Sequence, residues 1–566
     1  MSGIDIGVIF LFSFLVFVCG MSFSKSGKNM KSFFSAGGAL PWWMSGLSLF
    51  MSFFSSGTFV TWGALAYSNG WVAITIQWTM AISGILIGFF IAPRWQKTHA
   101  LTAAEFIKNR FGYKVQRTYT YIFLAIASFS TGAFLYPVAK ILEVSTGIPI
   151  TASIIVLGIL ILAYTAVGGL WAVIVTDILQ FVVLTAAVLI VVPLAFGEIG
   201  GVSQFIAKAP EGFFNLVNEE FSWSFIVVFG LYNLFFIAGN WPYIQRYTSV
   251  ATPNDAKKVG WLFGGLYVIC PVIWMIPPMI YRVLNPDLAG LADEGAYLLM
   301  CKQVLPLGML GLMLGAMIFA TASSVNTSLN LSAGVLANDV YGYFRPKASD
   351  KELVKVGRIA TILLGTITIV IALLVPYMGG VVTFVFAMAA ITGGALFLPP
   401  IWALFSPYQT GKSLLTVTLI TLAVNMLFKF VLPYISDISL DRKNETFLGI
   451  CLPIVLLSIA EIYVRLKHKR TGVVAWKTSQ VGQEPINQQN DVDVEQGPEL
   501  VANSADNNLG VRVIGWGIAS IGILMGALML VAEHSQVYVA GMGFIILCIG
   551  GFILSKNPKI ANSECK

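Results

Sequence analysis

Apolar residues in this chain run in long, nearly unbroken stretches, without the alternation of period 2 or 3.6 that marks half-buried strands and helices. The stretches fall near residues 5–24, 44–67, 72–93, 120–146, 148–165, 170–196, 222–245, 259–282, 304–338, 356–377, 380–405, 413–434, 446–464, 512–532 and 537–555. Most approach or exceed the roughly 20 residues that an α-helix needs to cross a bilayer. The pattern therefore predicts an all-α polytopic membrane protein with about fifteen transmembrane helices. Asp5 sits ahead of the first run with no basic segment before it, which argues against a cleaved signal peptide. Polar residues gather between the runs. The loop at 197–221 carries Glu198, Glu211, Glu219 and Glu220. The stretch at 471–511, with QEPINQQNDVDVEQGPEL at its centre, has a composition that cannot bury a core and predicts a disordered cytoplasmic loop.

Composition agrees. Of 566 residues 57% are apolar and 11% charged, with a mean hydropathy of +0.81, against about 25% charge in a soluble domain. A water-soluble enzyme, a disordered scaffold and a disulfide-stapled secreted module are excluded. The six cysteines, at 19, 270, 301, 451, 548 and 565, form no CxxC pair, so neither a disulfide framework nor a zinc site is expected. Charge sets the orientation, because cytoplasmic loops accumulate Lys and Arg. With the N-terminus outside and fifteen spans, 27 of the 34 basic residues fall on the cytoplasmic side. Lys140, Lys208, Arg282, Lys302, Lys429, Arg442 and Lys443 are the remainder. A cell (inner) membrane protein with its N-terminus outside and its C-terminus cytoplasmic is expected.

Three spans depart from an ordinary lipid-crossing helix. The second holds Ser45, Ser48, Ser52, Ser55, Ser56, Gly57 and Thr58 in its middle, and the seventh contains Asn233 and then AGNWP at 238–242. Pro242 lacks a backbone donor and Gly239 weakens the helix. These spans lie five apart, so halves of five helices at 44–196 and 222–405 would each open on an interrupted helix. That is the arrangement of an inverted-repeat transporter, whose site lies at the repeat interface. The plainer alternative is close helix packing by small residues. In the ninth span Ala320, Ser323 and Ser324 share one helix face. Two hydroxyls together with carbonyls freed by a nearby break would suit a hard monovalent cation, and interhelical hydrogen bonding is again the plainer alternative.

Several motifs resemble a known family, the sodium/solute symporters, which include sodium–glucose cotransporters and bacterial galactose, proline, sialic acid and pantothenate carriers. FFSAGGALPWW at 33–43, LTAAEFIKNRFG at 101–112, GGLWAVIVTDILQ at 168–180, NWPYIQR at 240–246 and the ASSVNTSLNLSAGVLANDVY run ending at Tyr341 carry the resemblance. It implies a LeuT-type 5+5 inverted repeat over 44–405. Flanking it would be an extra N-terminal helix within 1–30, further helices at 413–464, and two C-terminal helices at 512–555. The family's sodium site would map to the carbonyls of Met51, Phe54 and Ala320 and the hydroxyls of Ser323 and Ser324. Asp177 would assist sodium binding or release. Ala320 stands where some relatives use a Ser for a second sodium, which favours one sodium here.

On the solute side the resemblance points to Ser55, Gly57, Thr58, Gln77 and Asn233. It also points to Phe236 of the Phe235–Phe236 pair, where sugar carriers have a Tyr or Trp, and to Tyr267, where many have a Lys. Sialic acid carriers use an Arg where Ser130 or Thr131 stands here. Lys140, inside a span, would pair with a substrate carboxylate or simply snorkel to the surface. The function expected is sodium-coupled import of a small organic solute by alternating access, with a sugar or sugar derivative leading. A sugar acid, monocarboxylate or amino acid is the alternative, and a symporter-like nutrient sensor or a channel represents other classes. No enzymatic activity, no nucleic-acid partner and no cofactor beyond Na+ as coupling ion is expected.

Overall fold

A computed structural model describes residues 1–22, 40–100, 102–164, 170–345, 348–436, 439–471, 498–532 and 535–555. Among the described residues each of the fifteen apolar runs falls mainly on helix. In chain order the main helices are α1 (Gly3–Met21), α2 (Trp42–Met51), α3 (Gly63–Asn69), α4 (Val72–Leu86), α5 (Tyr113–Thr146), α6 (Ile150–Tyr164) and α7 (Leu170–Ile199). They continue with α8 (Trp223–Gly239), α9 (Trp241–Thr248), α10 (Pro253–Leu284), α11 (Met309–Val335), α12 (Asp350–Leu374), α13 (Gly380–Thr392) and α14 (Leu398–Phe405). The last four are α15 (Gly411–Met426), α16 (Arg442–Thr471), α17 (Pro498–Leu528) and α18 (Gln536–Ser555).

Among the described residues ten helices are long and apolar enough to cross a membrane, or eleven when α8 and α9 count as one bent span. The expected fifteen crossings are not all reproduced by this measure, for local reasons. The apolar stretches of α1, α6 and α11 are shorter, and the 44–67 run is split between α2 and α3. The 471–511 segment also departs from expectation, because α17 begins at Pro498. Residues 472–497, like 33–39 and 168–169 of the family motifs, lie outside the described residues.

Close packing at two places shapes the core. Between α4 and α10, a Cβ added at Gly84 would stand 2.8 Å from the Gly264 nitrogen, and one at Gly260 would stand 2.7 Å from the Gly88 Cα. Glycine is required there because no side chain fits between the backbones. Away from this contact the helices turn outward, with Phe90 and Ile269 more than half exposed, as a lipid-facing surface should be. The second place is the start of α11. Asp5 on α1 accepts hydrogen bonds from the Gly308 and Gly311 nitrogens at 2.8 and 3.1 Å, satisfying orphan donors at the start of that helix. The extra N-terminal helix thereby packs on α11 and also on α7, the two helices that carry Ser323 and Asp177.

The segments between spans are folded down on the bundle. Glu294, 3% exposed, accepts from the Tyr136 hydroxyl on α5 and from the Val381 nitrogen on α13, both at 2.8 Å. Phe213 accepts from the Trp71 nitrogen at 2.9 Å, and Glu220 pairs with Arg442 at 2.5 Å.

A candidate cation and solute site at the helix breaks

α2 ends at Met51, and helical geometry resumes only at Ser56. The gap is Ser52, Phe53, Phe54 and Ser55, and its serines, with Thr58 just beyond, offer side chains that compete for the backbone's hydrogen bonds. The Thr58 hydroxyl donates to the Phe53 carbonyl at 2.5 Å and accepts from the Ser55 nitrogen at 3.2 Å, which caps the gap from within. The Ser56 and Thr321 hydroxyls lie 2.6 Å apart and pin the break against α11. In the seventh span α8 and α9 meet at 61°. Asn240 is extended between them, and Pro242 begins the new helix where a missing N–H costs nothing.

Asp177 stands beside the first break and is 5% exposed. Its Oδ2 accepts from the Ser48 hydroxyl at 2.7 Å, and its Oδ1 accepts from the Ser323 hydroxyl at 3.4 Å. Ser48 in turn accepts from Arg246 Nε at 3.2 Å. Ser45 donates to the Arg246 carbonyl at 2.8 Å. One buried carboxylate thus connects α2, α7, α9 and α11, and a guanidinium one residue away balances its charge. The Ser324 hydroxyl donates to the Ala320 carbonyl at 3.2 Å. Asp177, Ser323, Ser324 and Ser52 all line a cavity of about 60 Å³. The Asp177 carboxylate and the Ser52, Ser323 and Ser324 hydroxyls give this cavity, which Arg246 also lines, the oxygen donors of a hard cation, while Met51, Phe54 and Ala320 do not line it. The residues present therefore fit sodium. Met51 and Phe54 are buried at the helix end, and the Phe54 ring lies 4.4 Å from Trp274.

A second cavity of about 140 Å³ adjoins the first, and the two share Ser52, Ser130, Phe134, Phe236 and Tyr243 in their walls. Of the residues expected on the solute side, Ser55, Gly57, Thr58, Asn233 and Phe236 line it. Asn233 is held by a 2.8 Å bond from its Nδ2 to the Thr79 hydroxyl. The other three stand elsewhere. Gln77 is 1% exposed, and neither its Oε1 nor its Nε2 has a partner among the described residues. Tyr267 is packed among Phe50, Phe53, Phe263 and Trp274. Lys140 forms a 2.9 Å ion pair with Glu143 one helical turn away. The cavity wall is mainly apolar, with aromatic rings prominent, and among the described residues carries no acidic or basic side chain.

Ser48, Arg246, Thr321, Thr61, Tyr232 and Tyr243 were not assigned to the site by sequence reasoning, although Ser48 stands in the serine cluster and Tyr243 and Arg246 in NWPYIQR. A signal for two of them existed. Ser45 and Ser48 share a helix face, and an Arg four residues after a helix-breaking Pro needs a buried partner if it is to enter the core.

This architecture, with two interrupted helices and a buried carboxylate between them, is that of a secondary transporter, and the chain belongs to the sodium:solute symporter family, whose profile matches residues 33–412. Among relatives, it is 29% identical to a sodium/glucose cotransporter of Vibrio parahaemolyticus over 418 residues, covering 67% of this chain and 76% of that one. It is 26% identical to the sodium/sialic acid symporter NanT of Aliivibrio fischeri over 386 residues, covering 64% and 75%. It is also 26% identical to sodium/glucose cotransporter 4 of Danio rerio over 413 residues, covering 65% of this chain and 62% of that longer one. A solved Na+-coupled sialic acid symporter, in a substrate-bound outward-open state, shares the fold. The TM-score is 0.67 at 22% identity, over 84% of this chain and 99% of that one.

Proposed function

We propose that the protein is a sodium-coupled symporter that imports a small uncharged organic solute, a sugar or sugar derivative, by alternating access. The observation that carries this reading is the adjacency of the two cavities. A cation site of oxygen donors around Asp177 and Ser323 shares a wall with a 140 Å³ chamber, and both lie where α2 and α8 break. Sodium at the first site orders the break that forms part of the second, so occupancy of one favours occupancy of the other. Each sodium that enters down a 100 mV potential supplies about 2.3 kcal/mol before its concentration gradient is counted.

The uncharged lining supports a neutral solute over a carboxylate, because an ionised acid in this chamber would be buried without a partner. Lys140, the cation considered for that role, is matched with Glu143 instead. The names of the relatives, cotransporters of glucose and sialic acid, support the sugar class. We further propose Met51, Phe54 and Ala320 carbonyls with the Ser323 and Ser324 hydroxyls as sodium ligands, and an N-out, C-in orientation that places the Asp177 cavity on the cytoplasmic side.

Purified protein in liposomes, given an inward sodium gradient, should accumulate tritiated D-glucose, D-galactose or myo-inositol and not the same solute in choline. Accumulation of N-acetylneuraminate in preference to all three would overturn the neutral assignment. Uptake indifferent to sodium would overturn the coupling.

A further inference from the structure

The recognition groups of the larger cavity can be narrowed by asking which of its polar atoms are already committed. The Ser52 hydroxyl donates to the Ser48 carbonyl at 3.0 Å, Ser130 to Ile126 at 3.3 Å and Thr392 to Met388 at 2.7 Å. All three are turned back on their own helices, and Thr58 is engaged in the break itself. By contrast, the hydroxyls of Tyr232 and Tyr243 make no hydrogen bond among the described residues, although both side chains are more than nine-tenths buried and line the cavity. Phenol hydroxyls that line a cavity and are not committed to the protein are free to pair with a solute that enters it.

Their placement is specific. Tyr232 lies one turn before Phe236 on α8, and its ring is stacked on that of Phe236 at 5.4 Å. Tyr243 is on α9, beyond the break, with its ring edge-on to Phe236 at 5.5 Å and 4.7 Å from Phe53. The central ring, Phe236, has no hydroxyl, and the two that flank it do. They also belong to the two halves of the bent span. A ring-shaped solute beside these three rings that bonded to both hydroxyls would tie α8 to α9 across the 61° bend.

We infer that Tyr232 and Tyr243 are the specificity-determining pair of this site, hydrogen-bonding hydroxyl groups of an uncharged ring solute, in a proposal that rests on the symporter reading above. Tyr243 also lines the smaller cavity, so its bond to the solute is made at the wall between the two chambers, where release toward the cytoplasm must break it.

The test uses sodium-driven uptake of tritiated D-glucose, D-galactose and myo-inositol by the full-length protein, with Tyr232→Phe, Tyr243→Phe, the double variant, and Tyr121→Phe on the exposed surface as control. Each cavity variant should raise KM for the transported probe by about tenfold, the scale of one lost hydrogen bond, with kcat and the sodium half-saturation within about twofold of wild type. Removing from the probe the hydroxyl that meets a given tyrosine should weaken transport by the wild type and change nothing further in the matching Phe variant, a signature that general loosening of the fold does not produce. That deoxy series in the wild type also keeps the test open if a variant folds poorly. With no deoxy analogue weakened, or with KM unchanged in the double variant while the wild type still transports, the tyrosine assignment falls and the symporter reading stands. Absence of sodium-driven uptake for every probe would overturn the symporter reading itself, and this assignment with it.

Discussion

At Asp177 the two carboxylate oxygens face two different helices. Oδ1 accepts from Ser323 and Oδ2 from Ser48, which leads on to Arg246. A cation entering between Asp177 and Ser323 competes with the Ser323 hydroxyl proton for Oδ1 and leaves the Ser48 side in place. Asp177→Asn should therefore raise the sodium half-saturation of transport by at least about tenfold, since it removes charge as well as a bond. Ser48→Ala removes the hydrogen bond to Oδ2 and the link to Arg246 but leaves the carboxylate charge and Oδ1 in place, and should have the smaller effect. Sodium titration of uptake measures both, and equal effects would place the ion away from Oδ1. A second carboxylate works differently. Burial lifts Glu294 above the usual carboxylate range, outweighing the bonds from Tyr136 and Val381 and the charge of Lys140. The folded state then binds this proton more tightly than the unfolded chain does. Stability contributed by Glu294 is greatest at low pH and declines as pH rises through the window that starts near the ordinary Glu value of about 4.3. Thermal melts across that window should show the decline in the wild type, and Glu294→Gln should flatten it.

Among the elements, the interrupted helices were legible from residue type. Pro242, Gly239 and the serine cluster in the second span mark places where a membrane helix cannot satisfy its own backbone, and the structure breaks there. The fifteen apolar runs likewise fall mainly on helices. What composition could not supply is pairing between distant segments. Nothing near Asp5 in sequence announces that it reaches Gly308 and Gly311. Nothing near Lys140 shows that Glu143, rather than a solute, takes its charge, although an i,i+3 spacing allowed it. Tyr232 and Tyr243 read as ordinary aromatic residues in an apolar run until the bend brings both beside Phe236. The glycine contact between α4 and α10 makes a separate prediction. Gly264→Leu would drive a side chain into the Ala81 carbonyl and the Ile85 backbone and should cost about 2 kcal/mol or more, seen as a lower melting temperature in detergent. Phe90→Ala on the exposed face should change it little. A similar loss in both would mean that α4 and α10 do not pack through their glycines.

Across the whole molecule, the proposed ion site and solute chamber share wall residues, and that sharing would be a route for coupling. α11 contributes Ser323 and Ser324 and is fixed to the broken second span by Thr321. The break contributes Ser55 and Gly57 to the chamber, and Arg246 on α9 answers to Asp177 through Ser48. Sodium bound at the proposed site would thus bear on both proposed halves of the repeat at once, which is the requirement for moving one half against the other around a fixed site. The most direct test of this account is solute-dependent entry of radiolabelled sodium into proteoliposomes, measured for the wild type and for the Ser323→Ala/Ser324→Ala double variant. The account predicts that a transported neutral sugar stimulates sodium entry in the wild type and that the double variant loses this stimulation. Sugar-stimulated sodium entry that persists undiminished in the double variant would contradict it.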